Sequence, residues 1–120
     1  MKRDMEMIRQ ILADVEAHDK TEDVLKVGDP FVAYQVSLMK DAGLIDAIIV
    51  QNHQGLPAQA ALMGLTWAGH DFLDASRDDT IWKKAMEHVV KPGASWSFSI
   101  LLEWLKQEAH KRIFGVTSGS

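Results

Sequence analysis

Cysteine is absent from this 120-residue chain. That excludes disulfides, thiolate nucleophiles and cysteine-based zinc sites together. Long apolar runs are missing too: no stretch of about 18 apolar residues occurs, so no helix is expected to span a membrane. The opening Met1-Lys2-Arg3-Asp4-Met5-Glu6-Met7 lacks the apolar core of a secretory signal. The expectation is therefore a cytoplasmic protein. Internal repeats and low-complexity segments are lacking, and so are the common signatures of enzymes. There is no Gly-rich phosphate loop, no Gly-x-Ser-x-Gly elbow and no His-Glu-x-x-His pair among His18, His53, His70, His88 and His110. None of the seven serines has a recognisable base beside it in sequence. Asp71, Asp74 and Asp78 recur at i, i+3, i+7, a spacing that would suit a hard cation. Capping duty and ordinary exposed carboxylates explain them more simply, and no metal or other cofactor is expected. The reading is of a binding module, not an enzyme.

What is present fits one small domain with a real core. Hydrophobic residues make up 47% and charged residues 25%, ordinary values for a globular chain. The net charge of −4 is unevenly spread. Residues 1–80 hold seven basic against fourteen acidic side chains, whereas residues 81–120 hold six against three. An acidic body thus carries a basic C-terminal part.

Periodicity predicts the elements. Ile8, Ile11, Leu12 and Val15 mark a helix over 3–18, with Asp4 at its start. Residues 19–29 read equally as one helical turn or a short strand, until Gly28-Asp29-Pro30 starts a new element. A helix follows over 30–42 with Val32, Val36 and Met39 on its apolar stripe, and Gly43 is placed to cap it in the left-handed conformation. Leu44 to Val50 is β-rich, Asn52-His53-Gln54-Gly55 supplies turn residues, and 60–65 returns as a second strand, with Pro57 expected in the loop or on an edge. Thr66 would cap a helix over 67–76 with Leu65, Phe72 and Leu73 inward and Trp67 at its start. Asp78 or Asp79 would cap another to Val90, and Ser97 a last one to about Phe114. The expected class is α+β, mostly helical: a core over 1–77, a helical extension over 78–114 packed on the same domain, and a frayed tail over 115–120.

Two stretches carry a resemblance. Val36-Ser37-Leu38-Met39-Lys40-Asp41-Ala42-Gly43-Leu44-Ile45 looks like a recognition helix running into a wing strand. Gly64-Leu65-Thr66-Trp67-Ala68-Gly69-His70-Asp71-Phe72-Leu73 is similar to the segment that closes the wing in MarR-like and PadR-like winged-helix regulators. Here Gly69 would permit close packing of the helix on the sheet. Over nearly its full length the chain also resembles a family of uncharacterised bacterial and phage or prophage proteins. The matching residues include Met1-Lys2-Arg3-Asp4-Met5, Arg77-Asp78-Asp79-Thr80-Ile81-Trp82-Lys83-Lys84 and Ser95-Trp96-Ser97-Phe98. The resemblance implies a winged-helix-like core and a phage-linked setting, and it supplies no catalytic residues. Ordinary winged helices place a full helix between the first helix and the recognition helix, and residues 19–29 are too few for one.

Fold analogy names DNA as the partner, while charge argues for protein. Only Lys40 is basic in the helix over 30–42, and Leu44 to Thr66 contains no Lys or Arg. Duplex affinity comes largely from phosphate neutralisation, and a wing entering the minor groove normally brings a cation. If nucleic acid binds, the candidates are Lys83, Lys84, Lys111 and Arg112, with Lys40. Phe31, Tyr34 and Leu38 form a second apolar stripe on the same helix, either buried under later helices or offered to a protein. Ile100, Leu101, Trp104 and Leu105 widen the apolar face of the last helix. They serve either intramolecular packing or a homodimer through that helix.

Overall fold

The computed structural model describes residues 2–18, 24–91 and 96–111. Within them lie helix α1 (Met5–His18), strand β1 (Leu25–Val27), helix α2 (Pro30–Asp41), strands β2 (Ile45–Gln51) and β3 (Pro57–Leu65), and helices α3 (Trp67–Ala75), α4 (Asp79–His88) and α5 (Phe98–His110). The chain divides into two compact units, Met1–Leu73 and Asp74–Ser120, with the division inside α3. Among the described residues no helix is long and apolar enough to cross a membrane.

The first unit is built on a three-stranded antiparallel sheet in the order β1-β3-β2. The ambiguity over 19–29 resolves as strand at 25–27, and 19–23 lies outside the described residues. Both α1 and α2 pack against the sheet and each other. From α1 come Met5, Ile8, Ile11, Leu12 and Val15, all buried, a spacing that keeps one helical face inward. On α2 the expected Val36 and Met39 are buried, joined by Ala33 and Gln35, while Val32 is only half so. Ile45, Ala47, Ala60 and Leu62 complete the core from the sheet.

A polar residue, Gln35, is fully buried in that core, and it anchors the start of the chain. Its Oε1 accepts from Asp4 N at 2.8 Å and its Nε2 donates to Lys2 O at 2.8 Å. The amide thereby pairs with the backbone as a strand would, which removes the penalty for burying it. Asp4 in turn caps α1, its Oδ1 accepting from Met7 N.

Local signals place the boundaries. The Asp29 carboxylate accepts from Phe31 N and Val32 N, with Pro30 at the first helical position of α2. At the other end Gly43 takes φ +77°, Gly43 N donates to Lys40 O and Leu44 N donates to Met39 O, which together make a Schellman cap. Asn52 closes the β2–β3 turn: its Oδ1 accepts from Gln54 N and Leu56 N, and Gly55 follows at φ +78°. Pro57 lies neither in the loop nor on an edge. It opens β3, the central strand, where a first residue can dispense with its ladder N–H.

The second unit holds α4 and α5, which pack on each other. Asp78 caps α4 by accepting from Ile81 N, and Ser97 caps α5 by accepting from Ile100 N. Ile81, Trp82 and Ala85 of α4 are buried, as are Leu101 and Leu105 of α5. The His88 and Trp104 rings lie 6.4 Å apart between the two helices.

Candidate functional site

One face of the antiparallel sheet carries core residues, and the other, among the described residues, carries exposed ones. Along β2 the buried Ile45 and Ala47 alternate with exposed Asp46, Ile48 and Val50. Across the strands Ile48 pairs with Ala61, and Ala61 with Lys26. A sheet face turned to water normally carries polar side chains at such positions. Here Ile48 is 57% exposed, Met63 54% and Val50 49%. The signal was available in the alternation over 45–51, where the outward set contains two β-branched residues. It is easily read as strand propensity alone.

Two irregularities shape this surface. Asp46 pairs with Gly64 and Ala47 with Leu62, so Met63 is an extra residue on β3. Val50 pairs with Gln59 and Gln51 with Pro57, so Ala58 is a second. Both bulges therefore lie on the central strand and leave β2 continuous. Bulges sharpen the local twist and redirect side chains.

One hydroxyl fixes the end of the sheet to the next helix. Thr66 Oγ1 donates to Gly43 O at 2.5 Å and accepts from Gly69 N at 3.0 Å, while Thr66 N donates to Leu44 O at 3.2 Å. Gly69 is buried against the Leu44 carbonyl, and a Cβ built there would overlap the oxygen and lie 2.9 Å from the carbon. Trp67, at the first position of α3, is 88% exposed.

Electrostatics set this region apart. No Lys or Arg occurs from residue 41 to 76, which covers β2, β3 and α3. The same stretch carries Asp41, Asp46, Asp71 and Asp74. Of the three carboxylates at metal-like spacing, Asp74 pairs with Arg77 at 3.0 Å and Asp78 is the α4 cap. Among the described residues no group of three or more His, Asp or Glu side chains is placed to hold a metal ion.

The other expected sites fare unevenly. Phe31, Tyr34 and Leu38 are half-buried and not an open stripe, while Lys40 is exposed at the end of α2. Lys83 and Lys84 are exposed on α4. Lys111 forms an ion pair with Glu108 at 3.1 Å, and Arg112 lies outside the described residues. The expected surface on α5 narrows sharply. Leu101 and Leu105 are fully buried, because they fall on the inward side of the helix at i, i+4; only Ile100, 55% exposed, and half-buried Trp104 are left to face a partner.

Residues 2–95 match the family described as Hypothetical protein (DUF2513). The chain belongs to this family. An uncharacterized protein of Haemophilus influenzae (strain ATCC 51907 / DSM 11121 / KW20 / Rd) is 34% identical over 116 residues, which cover 91% of this chain and 92% of that one. No solved structure matches the chain. The DUF2513 match takes in the whole sheet, the outer face and α3, and ends ahead of α5.

Proposed function

We propose that the chain is a protein-binding module, acting by binding and not by catalysis, with the outer face of its sheet as the contact surface. The observation that carries this reading is the pairing of exposed Ile48, Val50 and Met63 with a complete lack of Lys and Arg over residues 41–76. Apolar side chains grouped on a sheet face favour a desolvated protein contact. A polyanion would find a single lysine, Lys26 on β1, to neutralise its phosphates there.

The architecture supports a winged-helix reading of the core, shortened by one helix. A single helix, α2, stands between β1 and β2, and β3 lies between those strands in the sheet. In that reading β2 and β3 are the wing. A regulator's wing reaches phosphates with basic side chains; this one offers aliphatic ones and Asp46. The family resemblance adds a phage-linked setting, in which the module is an accessory factor that engages a host or phage protein. A homodimer through α5 is the weaker reading, since Leu101 and Leu105 are buried and, of the four residues proposed for it, Ile100 and half-buried Trp104 are left to contribute.

A titration with fluorescent random duplex at low salt tests the choice. The expected result is no saturable change in anisotropy, even where phosphate contacts are strongest. Saturable binding that weakens steeply as salt rises would replace the protein reading with the DNA one.

A further inference from the structure

We infer that β2 is a docking edge for an extended, basic segment of a partner protein, which adds to the sheet as a fourth strand beside Ile45–Gln51. The inference rests on the protein-binding reading above and names the partner's chemistry. The sheet has two edges, β1 and β2, and they are treated differently. β1 is three residues long with exposed Lys26 at its centre, the short and charged form that discourages pairing. β2 is seven residues long and contains neither Lys nor Pro. Both bulges sit on β3, so nothing interrupts the outer hydrogen-bonding groups of β2. Among the described residues no strand pairs with that edge.

Strand addition takes its affinity from main-chain hydrogen bonds and its specificity from alternate side chains. On the outer face those alternates are Asp46, Ile48 and Val50. A partner strand therefore gains from aliphatic residues opposite Ile48 and Val50 and from Lys or Arg opposite Asp46. On the edge strand itself the charge has that same sign, because β2 carries Asp46 and no Lys or Arg. An acidic residue opposite Asp46 meets repulsion. A second copy of this chain brings the same acidic edge, so self-pairing gains nothing from charge.

The test uses the full chain and a labelled peptide, acetyl-Lys-Thr-Val-Thr-Ile-Thr-Lys-Val-Lys-amide, with a counterpart bearing Glu at each Lys. Two further versions carry N-methyl groups on alternate residues, one in each phase. Anisotropy is expected to rise saturably with the basic peptide and to show binding about tenfold weaker for the acidic one. Asp46→Lys should invert that order, and N-methylation in one phase only should abolish binding. Equal affinity for the two charge types, survival of both N-methylated versions, or no binding up to about 1 mM would each overturn strand addition. The broader reading is separated by a photo-crosslinker at Met63, on the central strand. If it captures a protein while the peptides fail, face binding stands and the edge inference falls.

Discussion

Gly69→Ala is the change that most sharply separates local helix propensity from packing in this fold. Gly69 lies in the first turn of α3, and propensity alone predicts that alanine would stabilise the helix by up to about 1 kcal/mol. The structure predicts the opposite sign. The new Cβ would overlap the Leu44 carbonyl oxygen and sit 2.9 Å from its carbon, and backbone atoms cannot turn aside as a flexible side chain can. The start of α3 would have to retreat from the end of the sheet. That retreat strains overpacked atoms, at about 1–3 kcal/mol. It also stretches the Thr66 N bond to Leu44 O and the Thr66 hydroxyl bond to Gly43 O, each worth about 1 kcal/mol. After the propensity gain, the net loss is about 3 kcal/mol. For a chain of this size that lowers Tm by roughly 10 °C. Urea unfolding should show a lower midpoint with an unchanged slope. Gly55→Ala is the control: φ is +78° but nothing lies within 4 Å of the added carbon, so only about 1 kcal/mol of left-handed backbone strain is expected. A Gly69→Ala variant as stable as the parent, or more stable, would refute the packing argument.

Other consequences follow from buried groups and their partners. Gln35→Leu keeps the volume but strands the Asp4 amide and the Lys2 carbonyl; it should cost about 2 kcal/mol in urea unfolding and loosen amide-exchange protection at the start of α1. Leu105→Ala should destabilise by about 3 kcal/mol through the cavity it leaves, whereas Ile100→Ala should stay within about 0.5 kcal/mol. Equal costs at those two positions would mean that the inward side of α5 has been misassigned. Ile48→Lys should leave Tm almost unchanged, since the side chain is already mostly exposed, while removing partner binding at the outer face.

Much of the fold was legible in the sequence, for reasons that are local. Asp29-Pro30, Gly43, Asn52, Thr66, Asp78 and Ser97 each mark a boundary through a hydrogen bond or a dihedral angle that needs only neighbouring residues. The apolar spacing of α1 named its buried face directly. Non-local features were not legible. The apolar stripe of α2 named Val36 and Met39, but the value of Gln35 as a core residue appears only when the Lys2–Asp4 backbone lies beside it, 33 and 31 residues away. Pro57 reads as a loop or edge residue until the pairing with Gln51 shows the central strand β3 beginning there. The width of the α5 apolar face reads as either interface or intramolecular packing until Leu101 and Leu105 are seen to be buried. The candidate surface was missed for a related reason. Ile48 and Val50 are strong strand formers, and propensity does not tell which side of a strand is covered.

Site-specific photo-crosslinking is the most direct measurement of the central claim, that the outer sheet face binds protein. A benzoylphenylalanine placed at Ile48 should give a discrete, nuclease-resistant protein adduct in bacterial cell lysate, and the same group at Lys83 on α4 should not. Adducts that disappear on nuclease treatment, or that form from Lys83 and not from Ile48, would contradict the account.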